Sequence, residues 1–444
     1  MSVPDAHSAD SVGRVAAAIW RIESAKLIAV LARLLRSVDL AEELAQDAFV
    51  EALESWRKNG IPDNPGGWLM TAGRHRALDA LRHTRRAERK HEQIERERQS
   101  SIAADFDEAS DDVIGDDLLR LMFVACHPVV SQEGRVALTL RLLGGLTTVE
   151  IGRAFLVPEA TVAQRITRAK RTLAEQRIAY ELPQAADLPA RLESVLEVIY
   201  LVFNEGYLAS AGDDWMRPAL CEDALRLGRT LAQLVPTESE VHALLSLMEI
   251  QASRARARAG PDGEAVLLLD QDRSKWDTLL VRRGLEGLTR AESRIRQGPG
   301  PYLLQAAIAG CHASAREARD TDWPRIASLY AALMHIAPSP VVELNRAVAA
   351  GMAFGPAVGL GIVDPLLDDP DLSDYPFLPS VRADLLAKLG RFAEAKTAVE
   401  RAAALTRNAR ERALFLQRAA EYGRLGDLPH ENAGQEVESD DKPA

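Results

Sequence analysis

Apolar positions recur at helical spacing along almost the whole chain. Between residues 12 and 57, Ile19, Ile22, Leu27, Val30, Leu31, Leu34 and Leu35 fall mostly three or four apart, which predicts helix throughout. The run from Asn59 to Gly67 holds two prolines and three glycines and forbids a continuing helix. A second long helix is predicted from about Trp68 to Arg98. Residues 100–110 are polar, acidic and short of large apolar side chains, the composition of a flexible linker. Helical spacing returns at Asp116 with Leu118, Leu119, Leu121, Met122 and Phe123, breaks at Pro128, and resumes in shorter segments over 131–180. Beyond the linker at Pro183 to Pro189, periodic segments lie near 190–209, 216–234, 238–258, 275–296, 301–319, 323–336, 340–352, 377–389, 391–405 and 409–422. No stretch alternates at period two, so the expected fold is all-α. The polar run from His430 to Ala444 is expected to be disordered.

Size and charge refine this picture. With 444 residues the chain needs more than one core. No apolar stretch approaches the roughly 20 residues of a membrane span, and the first residues lack the basic-then-apolar build of a secretory signal. Cys126, Cys221 and Cys311 are far apart and odd in number, so no disulfide framework is implied. A cytoplasmic location, with no membrane partner, is the expectation. The net charge of −11 is unevenly placed: residues 1–178 hold 25 Lys and Arg against 26 Asp and Glu, and the remainder holds 29 against 39. Within the first part, Asp39 to Glu54 and Asp105 to Asp117 are acidic, while Arg74 to Lys90 and Arg165 to Arg171 are basic. Such blocks suit two nucleic-acid-facing surfaces and one surface for a basic protein partner.

The strongest local signal runs from Leu146 to Glu175. Thr147 or Thr148 can cap a short helix, with Glu150 placed for a reciprocal capping contact. Ile151, Ala154 and Phe155 form its apolar stripe, Leu156 to Glu159 make a turn, and a second helix follows to about Gln176. Val162, Ile166, Ala169 and Leu173 give that helix a buried stripe. Its other face carries Thr161, Gln164, Arg165, Arg168, Lys170 and Arg171. A short helix, a tight turn and a basic second helix match the requirements of major-groove insertion. Thr161, Gln164 and Arg165 stand near the helix start, where side chains reach base edges. Arg168, Lys170 and Arg171 lie further on and suit phosphates.

Upstream, Asp39 to Phe49 opens an amphipathic helix with Leu44, Ala48 and Leu53 expected inward and Glu42, Glu43, Gln46 and Asp47 outward. Trp68 to Arg86 follows, with Leu69, Ala72, Ala77, Leu78 and Leu81 as core stripe. Arg74, His75, Arg76, Asp79, Arg82, His83, Arg85 and Arg86 surround it, a density of cations suited to phosphate binding and single-strand capture.

These runs together carry a resemblance. AEELAQDAF resembles the region 2 helix with which sigma factors grip the clamp helices of the largest RNA polymerase subunit. Trp68, Leu69, Arg76, Asp79 and Arg82 follow at the spacing of the family's −10-reading helix. LRLLGGLTTVEIGRAFLVPEATVAQRITRAKRTL resembles region 4, which reads the −35 element. The order of these regions resembles the extracytoplasmic-function class of sigma factors. The resemblance implies a polymerase surface at Asp39, Glu42, Glu43, Gln46 and Asp47. It implies −10 contacts at Arg74, Arg76, Arg82 and His83, with Arg85 and Arg86 continuing the basic face. Asp79 would be structural, buried against neighbouring arginines. Ala45 departs from the family, which often has a bulkier aliphatic residue there. The implied organisation is region 2 over 12–98, a linker over 99–115, and region 4 over 116–180. The partners are core polymerase and promoter DNA; no catalytic residue, metal or cofactor is implied. A helix-turn-helix regulator with a helical sensor domain, using the same motif without region 2, is the alternative.

The remaining 260 or so residues are longer than this class requires. Asp384 to Leu405 resembles a tetratricopeptide repeat, with Leu386, Leu389, Gly390, Phe392, Glu394 and Ala395 on its pattern. A weaker copy at Asn345 to Ala357 would place Gly351 at the turn. The expected domains are a helical extension over 187–296 and tetratricopeptide-like repeats over 300–425, whose concave face would take a protein or peptide. The resemblance to sigma factors with such extensions implies regulation in cis. Glu205, Asp213, Asp214, Asp270, Asp272 and Asp277 are carboxylates among apolar residues, and an enzyme built on them is a third reading. Asn204, Glu205 and Tyr207 are better read as pinning a helix end, and Asp270 to Arg273 as the capped start of the helix bearing Trp276. Cys126 and His127 lack the further ligands of a zinc site.

Overall fold

In the computed structural model, residues 6–88, 111–207, 217–258, 260, 266–406 and 408–427 are described, with side chains of 6–11, 84–88 and 111–114 excepted. The described residues form α-helices and short 3₁₀ turns with no strand, as the periodicity predicts. The chain divides into two compact units at Val202 and Phe203.

In the first unit, α1 (Ala6–Leu35), α2 (Val38–Asn59) and α3 (Pro65–Glu88) pack on one another. Ser37 caps α2 by accepting from the Leu40 amide, and Gly60 ends it at φ 83°, where a side chain would be strained. The buried stripe of α2 is Ala41, Glu42, Ala45, Ala48, Ala52 and Trp56, so Leu44 and Leu53 are only half-buried. Small alanines let neighbouring helices approach closely, and Ala45 is fully buried. Gly73 of α3 allows the same approach, since a β-carbon there would stand 2.7 Å from Leu27 Cδ1. Leu69 and Ala77 flank it in the core, while Ala72, Leu78 and Leu81 are half-buried.

Helix α4 (Asp111–Ala125) begins earlier than the expected Asp116 and packs on α1. Residues 89–98, read as helix, and 99–110, read as linker, lie outside the described residues. α5 (Gln132–Leu142), α6 (Thr148–Phe155) and α7 (Glu159–Glu175) complete a small helical module. α8 (Leu188–Tyr207), expected to open the extension, lies for most of its length in this first unit. Arg191 donates to the Phe123 carbonyl at 2.6 Å, Ser194 to the Cys126 carbonyl at 2.6 Å, and Arg135 pairs with Glu197 at 2.9 Å. Cys126 is buried against Thr139 Oγ1, and burial pushes its thiol up to about 11. His127 accepts from the Val129 amide in the turn after α4, which accounts for the pair without a metal.

The second unit continues with α9 (Pro218–Leu234), α10 (Ser239–Ser253), α11 (Thr278–Glu292), α12 (Pro301–Ser314) and α13 (Trp323–Ile336). It ends with α14 (Pro340–Phe354), α15 (Pro356–Val363), α16 (Phe377–Lys388), α17 (Phe392–Leu405) and α18 (Ala409–Gly426). Consecutive helices pack pairwise, and α10 also contacts α12. Leu344, Leu360, Leu385, Leu386, Val399 and Phe415 form one core across α14 to α18. Gly390, at φ 74°, turns the chain between α16 and α17 as its place in the repeat pattern requires. Gly351 does not make a turn: it is buried within α14 beside Gly359 of α15. A β-carbon on Gly359 would meet the Ala347 carbonyl at 2.8 Å. Gly355, at φ 104°, makes the turn instead. The tail from His430 lies outside the described residues.

Candidate nucleic-acid and partner interface

The helix-turn-helix forms as its sequence directs. Thr147 Oγ1 accepts from the Glu150 amide and Glu150 Oε2 accepts from the Thr147 amide, closing a capping box at the start of α6. Arg21 of α1 donates to Glu150 at 2.9 Å. Burial alone would raise the Glu150 carboxyl, but the Thr147 amide and hydroxyl together with Arg21 hold it below the usual range. Leu156 takes the left-handed conformation at φ 50° and sends the chain into Pro158, the N-cap of α7. Gly152 lets the turn fold back on α6, since a β-carbon there would lie 2.9 Å from the Val157 carbonyl. Val162, Ile166, Ala169 and Leu173 are all buried, as expected.

On the outer face of α7, Gln164, Arg168 and Arg171 are exposed, and Thr161 and Arg165 are half-buried. Arg165 and Arg168 line an open cleft of about 460 Å³ with Ser131, Glu133 and Thr172. Arg171 reaches Glu175 at 3.6 Å. Lys170 stands apart from this group. Its ammonium lies 2.6 Å from Asp39 Oδ1 and 2.7 Å from Glu42 Oε2, and its side chain is 19% exposed. Burial alone would lower its pKa, but the two carboxylates outweigh that and hold it above the usual lysine value.

Glu42 is the clearest departure from the expected outer face of α2, because it is buried. Arg141 of α5 donates to Glu42 Oε1 at 2.6 Å, and Gln46 donates to the same oxygen at 2.6 Å. A carboxylate leaves water only when paired, and Arg141 and Lys170 meet that requirement from two different helices. Asp39, Glu43 and Asp47 are exposed as expected, and Gln46 is half-buried. Sequence reasoning passed over Arg141, though a cation set within the apolar run from Val136 to Leu143 was a usable signal.

Along α3, Arg74 is half-buried, while His75, Arg82 and His83 are exposed. Arg76 pairs with Glu51 at 2.9 Å and Asp47 at 3.7 Å, so one expected DNA contact and one expected polymerase contact face each other. Asp79 pairs with Arg82 at 3.0 Å, but on the surface rather than buried. The side chains of Arg85 and Arg86 lie outside the described residues.

Of the carboxylates singled out beyond the first unit, Asp272 and Asp277 serve the backbone as helix caps. Glu205 pairs with Arg217. Asp272 caps a one-turn 3₁₀ helix (Arg273–Lys275) and Asp277 caps α11, so Trp276 precedes α11 instead of lying on it. Asp270 ends a separate 3₁₀ turn and is exposed, whereas Asp213 and Asp214 lie outside the described residues. Tyr207 is pinned by Arg254 at its hydroxyl and by Arg258 at its carbonyl. Among the described residues, no group of three or more His, Cys, Asp or Glu side chains is placed to hold a metal ion, and no helix is long and apolar enough to cross a membrane.

Comparison with known proteins bears on both units. Residues 21–87 match the model of sigma-70 region 2, and residues 120–173 match that of sigma-70 region 4. Residues 191–292 match a family of unknown function (DUF6596). An uncharacterized protein of Rhizobium meliloti is 43% identical over 387 residues, covering 86% of this chain and 90% of that one. The ECF RNA polymerase sigma factor SigK of Mycobacterium tuberculosis is 30% identical over 158 residues, covering 33% of this chain and 78% of SigK. The probable ECF RNA polymerase sigma factor SigI of the same species is 28% identical over 176 residues, covering 38% of this chain and 57% of SigI. No solved structure matches the chain.

Proposed function

Because this chain belongs to the ECF RNA polymerase sigma factors, a family of non-enzymatic initiation factors that bind core polymerase and promoter DNA, we propose a specific division of labour among its residues. The acidic face of α2, with Asp39, Glu42, Glu43, Gln46 and Asp47, docks on the clamp helices of the largest polymerase subunit. Arg74, Arg76, Arg82, His83, Arg85 and Arg86 of α3 hold the −10 element. Thr161, Gln164 and Arg165 read base edges of the −35 element, with Arg168, Lys170 and Arg171 on the phosphates. The cytoplasm is where such a factor meets its polymerase.

The observation that carries this reading is the pairing of two modules in one unit, one with an acidic helix beside a cationic one and the other with a capped helix-turn-helix. A regulator using the helix-turn-helix alone would have no use for the first. The test is run-off transcription with purified full-length protein, core polymerase and a candidate promoter. Promoter-specific transcripts are expected; duplex binding without initiation would favour the plain regulator.

The helical second unit is proposed to regulate the factor in cis, with a protein or peptide as ligand of its repeat-like helices. What supports this is a second compact unit, with the packed helices α9 to α18, beyond the modules that initiation uses. A chain ending after residue 207 keeps α8 on the first unit and tests the idea. A transcription profile identical to that of the full chain would remove the regulatory role.

A further inference from the structure

Asp39, Glu42, Arg141 and Lys170 bring three helices of the first unit to one point. Glu42 is 6% exposed at its side chain and accepts from Arg141 of α5, while Lys170 of α7 bridges Glu42 and Asp39. Two of these residues belong to the ridge assigned above to polymerase, and Lys170 belongs to the face assigned to DNA. Each surface therefore spends its charge on the other. Additional contacts set region 4 against α1: Arg21 pairs with Glu150, and a β-carbon on Gly145 (φ 68°) would meet Ser24 Oγ at 2.9 Å. In this arrangement Glu42 and Lys170 are withheld from a clamp helix and from a phosphate, while Asp39, Glu43, Asp47, Arg168 and Arg171 stay exposed.

We propose that the Arg141–Glu42–Lys170–Asp39 cluster is an autoinhibitory latch, in which region 4 stands in for the polymerase on the first turns of α2. Glu42 is then an acceptor shared between two states. It is satisfied by Arg141 and Lys170 when the modules are closed, and by water or the basic clamp surface when they part. Opening frees Lys170 for DNA at the same moment, so polymerase docking and promoter competence are coupled by one set of ion pairs. A buried carboxylate is tolerated only while both cations remain, which makes the closed state sensitive to removal of either. The apparent affinity for polymerase is reduced by the fraction of chains that are open, and weakening the latch removes that reduction. This inference rests on the reading of α2 as the polymerase-facing helix.

The test uses full-length protein with dyes at Val50→Cys and Ala174→Cys, both exposed positions on α2 and α7 outside the assigned contacts, in a Cys311→Ser background. Adding core polymerase is expected to lower energy transfer between the dyes as the modules separate. Arg141→Gln, at a residue assigned neither to DNA nor to polymerase and acting on the ridge only through Glu42, is expected to lower transfer in the free protein and to tighten polymerase binding on the order of tenfold. Polymerase binding with unchanged transfer would overturn the latch and leave the assignment of α2 standing. Unchanged or weaker binding by a folded Arg141→Gln chain would do the same. Absence of polymerase binding by the unsubstituted chain would overturn both.

Discussion

Arg33 Nε donates to Asp117 Oδ2 at 2.8 Å, joining α1 to α4 through a carboxylate whose side chain is wholly buried. Arg120 holds the other oxygen at 2.7 Å, and the Tyr180 hydroxyl lies 2.9 Å from the Asp117 carbonyl and 3.0 Å from that of Ala29. Burial pushes the Asp117 carboxyl up, opposed by the two guanidiniums. Asp117→Ala would leave two partly buried cations without their acceptor, at a cost of about 2–3 kcal/mol. Hydrogen exchange of amides in α1 and α4 is the measurement, because it reads this contact separately from the second unit. Unaltered protection there would show that apolar packing alone holds the helices.

Gly152 controls a joint within region 4. Its missing β-carbon is the space into which the Val157 carbonyl folds, and backbone cannot retreat as a side-chain tip can. Gly152→Ala is expected to destabilise the helix-turn-helix by about 1–3 kcal/mol through overpacking, despite alanine's better helix propensity. Promoter-binding titrations and hydrogen exchange of α6 and α7 should both register the change. Wild-type values in both would mean that the turn can yield.

Much of this architecture was legible in the chain. The capping box at Thr147 and Glu150 and the stripe from Val162 to Leu173 came from local spacing, and local spacing decides them. The phase of α2 was harder. Hydrophobic weighting favours Leu44 and Leu53, whereas close packing selects the alanines at 41, 45, 48 and 52 and takes Glu42 in with them. That burial depends on Arg141 and Lys170, roughly 100 and 130 residues away, and no periodicity reports a partner so distant. Gly351 was misread for a related reason: a glycine marks either a turn or a close helix approach, and only the packing of α14 on α15 decides which. Neither feature has a local signature.

In the second unit, His312 is buried with Nδ1 unpartnered, and its ring meets Trp323 edge-on at 5.2 Å. Burial, with Arg254 and Arg273 nearby, lowers its pKa to about 4 from an ordinary 6.5. The folded chain keeps the ring neutral while the unfolded chain takes up a proton below about 6.5. Stability from this residue is thus complete above that pH and is lost as pH falls toward about 4, by on the order of 3 kcal/mol at most. Scanning calorimetry between pH 7 and about pH 5 should show a falling transition temperature that His312→Phe makes shallower. Equal slopes in the two proteins would place the acid sensitivity elsewhere.

Arg165 and Arg171 share α7 but occupy different stations, and their DNA roles should separate accordingly. Arg165 is half-buried beside the cleft near the start of the helix, whereas Arg171 is exposed about one and two-thirds turns further on and pairs with Glu175. A guanidinium at the first station can reach a base edge, so Arg165→Ala is expected to weaken binding to the cognate −35 sequence by about 1–3 kcal/mol and to relax preference there. One at the second station meets phosphate, so Arg171→Ala should weaken all duplexes alike and reduce the salt dependence of binding by about one charge. Titrations of both variants against cognate and scrambled duplexes at several salt concentrations decide between these roles. If Arg165→Ala lowers affinity for every sequence equally, its side chain belongs with the phosphate contacts, and base reading falls to Thr161 and Gln164.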